Sequence, residues 1–170
     1  MKETIIAIDN GISGSIAIFF DGLYSFHLTP VRKELSYTKQ KQFITRIDIN
    51  RLKVIFSAFT LTVESKNNFN VKVYLERPMI NPMRWKASVS AIRALEATLI
   101  IIEQMRFSLN YVDSREWQKG MLPKGLEKGE LKKASCDIAS RLFPKYKKEI
   151  EKHGDGDSLL MGEYFRRKNI

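Results

Sequence analysis

The chain has 170 residues, 44% of them hydrophobic, enough for one full core and too few for two comfortable domains, so it reads as a single domain over residues 1–170. Its formal charge of +10, from 29 Lys+Arg against 19 Asp+Glu, favours a polyanionic partner without separating DNA from RNA or from an anionic surface. The opening Met1-Lys2-Glu3 has no signal-peptide pattern, the run Leu99-Ile100-Ile101-Ile102 is far too short to span a bilayer, and the lone Cys136 excludes an internal disulfide, so a soluble cytoplasmic protein with no membrane partner is expected.

Residues 4–9 are almost continuously apolar, as in a strand buried on both faces, and residues 15–20 follow after a turn marked by Gly11 and Gly14. Asp21-Gly22 signals a tight hairpin into residues 23–28, which completes an antiparallel meander of three strands. Residues 29–45 are polar and basic and read as a solvated loop, with nucleic-acid contact as the alternative. From Asp48 the pattern turns helical: Leu52, Ile55, Phe56, Phe59 and Val63 share a face, Asp48 or Asn50 can cap it, and Asn67-Asn68 stops it. Residues 71–76 form another strand, after which Pro78 and Pro82 force an extended exit.

A long helix is predicted over 86–106, a short strand over 109–112, and then a turn of helix capped by Ser114 and carrying Trp117 into the core. Gly120, Pro123, Gly125 and Gly129 punctuate the next stretch. Residues 130–143 read as a helix ended by Pro144, and a last helix starts near Asp157 with Leu160, Met161 and Tyr164 inward. This order predicts an α/β fold with a five-stranded mixed sheet, the three-strand antiparallel meander plus two parallel strands, flanked by helices.

Three acids fall at rigid places in that plan. Asp9 follows Ile5-Ile6-Ala7-Ile8, Glu76 ends Val71-Lys72-Val73-Tyr74-Leu75, and Asp157 opens the last helix. Alone, an Asp before Asn-Gly is a turn residue, a Glu beside Arg77 is an ion-pair partner, and an Asp at a helix start is a cap. Together, Asp9 and Glu76 at the carboxyl edge of neighbouring parallel strands repel one another, and hard cations with oxygen ligands relieve that repulsion. Two such ions can serve an in-line displacement at a phosphodiester. His153 and Asp155 compete for a fourth ligand position. His153 stands four residues before Asp157 and shares its face if the helix starts early, whereas Asp155 is the harder donor but lies off that face in a regular helix. His27, in an alternating strand, has no assigned role.

These residues resemble the RuvC-type Holliday junction resolvases of the RNase H-like nuclease superfamily, especially their phage branch. Ile6-Ala7-Ile8-Asp9-Asn10-Gly11 with Gly14 is similar to the family's first strand and turn, Val73-Tyr74-Leu75-Glu76-Arg77-Pro78 to its second acidic motif, and Gly156-Asp157-Ser158-Leu159-Leu160-Met161-Gly162-Glu163-Tyr164 to its last helix. The match runs the length of the chain in order. The resemblance implies an RNase H-like fold and a homodimeric endodeoxyribonuclease that nicks four-way DNA junctions symmetrically. It further implies two Mg²⁺ or Mn²⁺ ions per active site, with Asp9, Glu76 and Asp157 as metal ligands. Two departures are plain: Gly154 stands where many bacterial members have an acid or His, and Arg77-Pro78-Met79 replaces their Gln and aromatic pattern, which leaves other branched DNAs as possible targets.

For DNA, the candidates are Arg84, Trp85 and Lys86 soon after Glu76, and Lys119, Lys124, Lys128, Lys132 and Lys133 in and after the glycine-punctuated stretch. Trp85 is expected to be buried against the long helix, with base stacking as its alternative. A four-way junction has two-fold symmetry, so a dimer is required to cut opposing strands, and the long helix is the candidate interface. Three rival readings follow. An ATP-handling fold of the actin, Hsp70 and sugar-kinase kind shares the Asp-x-Gly-x-x-Gly turn but needs a second lobe for which 170 residues have no room. A non-catalytic basic nucleic-acid binder and an RNA-hybrid nuclease of the same superfamily remain as alternatives.

Overall fold

The computed structural model describes residues 2–37, 39, 41–64, 69–127 and 129–168, of which 2, 59–64 and 69 are described by backbone alone. Phe59 and Val63 of the first helical stripe, the Asn67-Asn68 stop and Lys128 therefore lie outside the described side chains and residues.

Strands β1 (Lys2–Ile8), β2 (Ser15–Phe20) and β3 (Leu23–Leu28) form the expected meander. Asp21 and Gly22 both take positive φ, 51° and 79°, the backbone that a two-residue hairpin with right-handed strand twist requires. After α1 (Ile49–Glu64), β6 (Phe69–Glu76) lies parallel to β1. After α2 (Trp85–Gln104), β7 (Ser108–Val112) lies parallel to β6. The sheet order β3-β2-β1-β6-β7 is the five-stranded mixed arrangement the sequence predicts.

Because β1 is central, both of its faces are covered, and Ile5, Ile6, Ala7 and Ile8 are all buried. Alternation sends Ile6, Ile8, Ile16, Ile18, Val73 and Leu75 to one face, against Leu52 and Phe56 of α1 and Ala94, Ile101 and Ile102 of α2. The other face carries Ile5, Ala7, Ala17, Phe19 and Tyr74. It is covered by α3 (Ser114–Met121), α4 (Leu131–Leu142), α5 (Lys147–His153) and α6 (Asp157–Lys168), which contribute Trp117, Ala139, Ile150, Leu159, Leu160, Met161 and Phe165. Each large buried side chain stabilises the fold by roughly 1.5–3 kcal/mol relative to exposure. Helix α6 lies closest to the sheet: a Cβ on Gly162 would fall 2.3 Å from the Phe19 ring, and Phe165 stacks on Tyr74 at 3.9 Å between centroids.

Four local expectations are corrected. Residues 29–45 are not a bare loop: β4 (Val31–Leu35) and β5 (Phe43–Ile47) pair antiparallel as a separate two-stranded ribbon. Strand β4 is mostly charged, so apolar periodicity misses it; its Glu34 pairs along the strand with Arg32 at 3.1 Å and across the ribbon with Arg46 of β5 at 2.6 Å. The cap of α3 is Asp113, whose carboxylate accepts from the Arg115 N–H at 2.8 Å, rather than Ser114. Helix α5, preceded by a 3-10 turn at Pro144–Tyr146, fills a stretch with no assigned element. Trp85, expected against the long helix, is 68% exposed.

Candidate metal centre

Ile8 pairs with Leu75, and both strands then end, so Asp9 and Glu76 leave adjacent strands at one edge of the sheet. Asp9 is fixed through its backbone: its N–H donates to the Ser15 carbonyl at 3.0 Å, and the turn back to β2 passes directly over its own carbonyl. A Cβ on Gly14 would lie 2.1 Å from that oxygen, so only glycine permits this turn. Helix α6 begins beside it, tied to the start of β2 by the Ser15 hydroxyl donating to Ser158 Oγ at 2.8 Å.

Gly154 in the left-handed conformation, φ 76°, ends α5 and separates it from α6. Asp155 then caps the next helix, its Oδ1 accepting from the Asp157 N–H at 2.9 Å. This break settles where the two competing residues lie. His153 belongs to α5, so its four-residue spacing from Asp157 does not place it on the same face. Its ring meets Phe26 edge-on at 6.4 Å, with Nε2 buried and unpaired among the described residues. Asp155 is buried and acts electrostatically on Asp9, Glu76 and Asp157 together. Asp155 precedes α6, so the side-chain spacing of a regular helix does not turn it away from Asp157.

Glu76, Asp157 and Asp155 each have a side-chain partner. Trp117 Nε1, fully buried on α3, donates to Glu76 Oε2 at 3.3 Å. The Ser135 hydroxyl on α4 donates to Asp157 Oδ1. The Lys132 ammonium lies 3.3 Å from Asp155 Oδ2, its side chain 75% exposed while that of Asp155 is 6% exposed. These three residues extend the site beyond the acids. Trp117 was legible as core but not as a donor, Lys132 only as a phosphate contact. Ser135 was missed, its only signal being the small-residue face it shares with Ala139 opposite Gly156, where a Cβ would strike Ala139 at 2.3 Å.

The electrostatics follow from this crowding. Burial and then the charges of Asp155, Glu76 and Asp157 hold the Asp9 carboxyl well above its ordinary range, against a smaller opposing effect of Lys132. Burial, with Asp157 adding repulsion and the Trp117 bond opposing, raises Glu76 to about 7. Burial and Asp155 raise Asp157 to about 6, with the Ser135 bond opposing. Partial desolvation works against the Lys132 charge, but Asp155, Asp157 and Asp9 outweigh it and raise the ammonium.

Among the described residues, no three His, Cys, Asp or Glu side chains are drawn together as a metal cage. The donor chemistry nevertheless fits a hard divalent cation. Asp9, Glu76, Asp155 and Asp157 offer only oxygen, Asp155 is buried and the other three are half-buried, they repel one another, and one exposed lysine is the cation that the ion would supplement.

The basic candidates divide by position. The Pro82–Arg84 3-10 turn is clamped by Asn81, whose Oδ1 accepts from Met83 N–H at 2.9 Å and whose carbonyl accepts from the Ser88 hydroxyl at 2.9 Å. Arg84 on this turn, and Trp85 and Lys86 at the start of α2, are exposed beside Met83, which is 92% exposed. Lys119, Lys124 and Lys133 are exposed along the stretch bracketed by Trp117 and Ser135, both of which bond a site carboxylate.

No family model matches this sequence, and no curated protein matches it. Among solved structures, that of Thermus thermophilus RuvC in complex with a Holliday junction substrate is similar at a TM-score of 0.49 and 10% identity, covering 98% of this chain and 96% of that one. A second Thermus thermophilus RuvC structure gives a TM-score of 0.46 at 11% identity over the same shares. No helix among the described residues is long and apolar enough to cross a membrane.

Proposed function

We propose that this chain is a divalent-metal-dependent endodeoxyribonuclease acting on branched DNA, with the four-way junction as its substrate and residues 1–170 as one nuclease domain. The observation that carries the reading is the set Asp9, Glu76, Asp155 and Asp157, half-buried or buried and repelling one another at one sheet edge of a chain whose net charge is +10. A structural acid cluster would be relieved by arginines and lysines facing it, yet among the described residues only Lys132 does so, from an exposed position. Two Mg²⁺ or Mn²⁺ ions held by these carboxylates would supply water activation and charge neutralisation at a phosphodiester.

The protein's own part is to hold the acids. Trp117 orients Glu76, Ser135 orients Asp157, and the Gly14 turn fixes Asp9. Arg84, Lys86, Lys119, Lys124, Lys128, Lys132 and Lys133 would carry phosphate contacts around them, Lys132 moving from Asp155 to do so. Exposure of Trp85 at the start of α2, directly after the clamped turn, supports stacking on a base opened at a branch point. A homodimer matches the two-fold symmetry of the junction, and Ile92 and Ile100, both partly exposed on α2, are available for it. The setting proposed is the cytoplasm, or a host's cytoplasm for a phage protein.

The test is a substrate panel with Mg²⁺ or Mn²⁺: immobile four-way junction, replication fork, linear duplex and RNA–DNA hybrid. Paired nicks at symmetric positions of the junction are expected. Cleavage confined to the hybrid would favour the RNA-hybrid nuclease, and binding without any cleavage would favour the non-catalytic binder.

A further inference from the structure

The β4–β5 ribbon plays no part in the fold's core beyond its last residue, Ile47, and none in the carboxylate site. Its position is informative. Strand β3 ends at Leu28, which pairs with Ser15, so the ribbon rises from the same sheet edge as Asp9. Its root is stitched to the Asp9 turn by Thr29 N–H donating to Gly14 O at 3.0 Å, and is closed by Asp48 N–H donating to Pro30 O at 2.8 Å. Beyond the paired strands, Tyr37 accepts a hydrogen bond from Arg93 of α2, whose guanidinium also lies 5.2 Å from the ring centroid. Arg93 is two residues past Ala91, whose carbonyl takes the Asn10 amide at 3.2 Å, next to Asp9. The ribbon is thus anchored at both ends to elements that hold Asp9.

Its surface has two characters. Residues 31–47 carry Arg32, Lys33, Lys39, Lys41 and Arg46 against the single acid Glu34, which the two arginines already engage. Lys33, Lys39 and Lys41 are exposed. At the end of the paired region Leu35 and Phe43 sit directly opposite one another, 56% and 70% exposed. An apolar pair at the tip of a cationic ribbon is poorly suited to water alone. The major groove of B-form DNA admits a two-stranded ribbon, with lysines reaching phosphates and apolar side chains meeting base methyl groups.

We propose that the β4–β5 ribbon is a duplex-gripping arm that binds the DNA flanking the cleavage site, with Lys33, Lys39 and Lys41 on phosphates and the Leu35–Phe43 pair in the groove. The occupant is DNA rather than a second copy of this chain, because the segment's excess of positive charge would repel a copy whose own charge is +10. The inference rests on the nucleic-acid reading above but not on cleavage.

The experiment measures binding of a fluorescent immobile four-way junction by anisotropy, in EDTA, from 50 to 200 mM salt. Each phosphate contact contributes about 0.9 to the slope of log affinity against log salt, so Lys33→Ala/Lys39→Ala/Lys41→Ala should lower the slope by roughly two to three and weaken binding at least about tenfold at 100 mM. Leu35→Ser/Phe43→Ser should weaken binding several-fold with the slope unchanged, since no phosphate contact is lost. Wild-type slope and affinity in the lysine variant would overturn the arm while leaving the nuclease reading intact. A shift of the Leu35→Ser/Phe43→Ser protein from dimer to monomer in sedimentation, with DNA affinity per protomer unchanged, would overturn it in favour of a subunit contact. A wild-type protein that binds no junction at any salt would remove both this inference and the proposed function.

Discussion

Glu76→Gln should make the metal-free protein more stable in alkaline buffer and no more stable in acid. Burial, with repulsion from Asp157, raises this carboxyl from an ordinary 4.5 to about 7. At about 1.4 kcal/mol per pH unit, that displacement costs the folded state on the order of 3 kcal/mol once the group is fully ionised. The direction follows from the raised value. Below pH 4.5 the group is protonated in folded and unfolded chains alike, and nothing is lost. Between 4.5 and 7 the unfolded chain ionises first, so stability falls as pH rises, and above 7 the whole penalty is present. A neutral Gln carries no such penalty and its amide oxygen still accepts from Trp117 Nε1. The expected gain is therefore about 2–3 kcal/mol at pH 8, after allowing for its coupling to Asp157, and close to zero at pH 4. Urea unfolding in EDTA at pH 4, 6 and 8 measures it. A gain equal at all three pH values, or a loss at pH 8, would refute the picture of an ionised, uncompensated acid at this position.

Other substitutions probe separate parts of the site. Lys132→Met removes the ammonium beside Asp155 and should raise Mn²⁺ affinity in the absence of DNA by about two- to fivefold, the modest value of a largely exposed ion pair, as read by calorimetry. Gly14→Ala forces a Cβ to within 2.1 Å of the Asp9 carbonyl, so it should destabilise the fold by more than about 2 kcal/mol in urea and weaken Mn²⁺ binding by displacing Asp9. Trp85→Ala should leave the melting temperature nearly unchanged because the ring is exposed, yet reduce junction affinity by about five- to a hundredfold if a base stacks on it.

The five strands of the main sheet were legible because each is an apolar run bounded by turn chemistry, and Asp21-Gly22 named its own hairpin. The ribbon was not, because Val31-Arg32-Lys33-Glu34-Leu35 has neither apolar continuity nor clean alternation, and the pairing of Glu34 with Arg46 of β5 joins residues that no local pattern connects. Asp9, Glu76 and Asp157 could be placed from strand ends and a helix start. The choice between His153 and Asp155 could not, since it turned on Gly154 adopting a left-handed conformation that ends one helix before the next begins. Trp85 escaped because a helical stripe predicts which face is apolar, not that the Asn81 clamp turns the first residue of α2 outward. Trp117 and Ser135 show the same limit: their bonds join residues 41 and 22 positions apart, and no local pattern records them.

The most direct test of the central claim is single-turnover incubation of an immobile four-way junction with wild-type protein and with Asp9→Asn in Mg²⁺ or Mn²⁺, resolved on a denaturing gel. The account predicts paired symmetric nicks by the wild type and none by Asp9→Asn, which should still shift the junction with equal or tighter affinity because one negative charge near phosphate is gone. Equal cleavage by both proteins, or no cleavage of any DNA by the wild type with either metal, would contradict it.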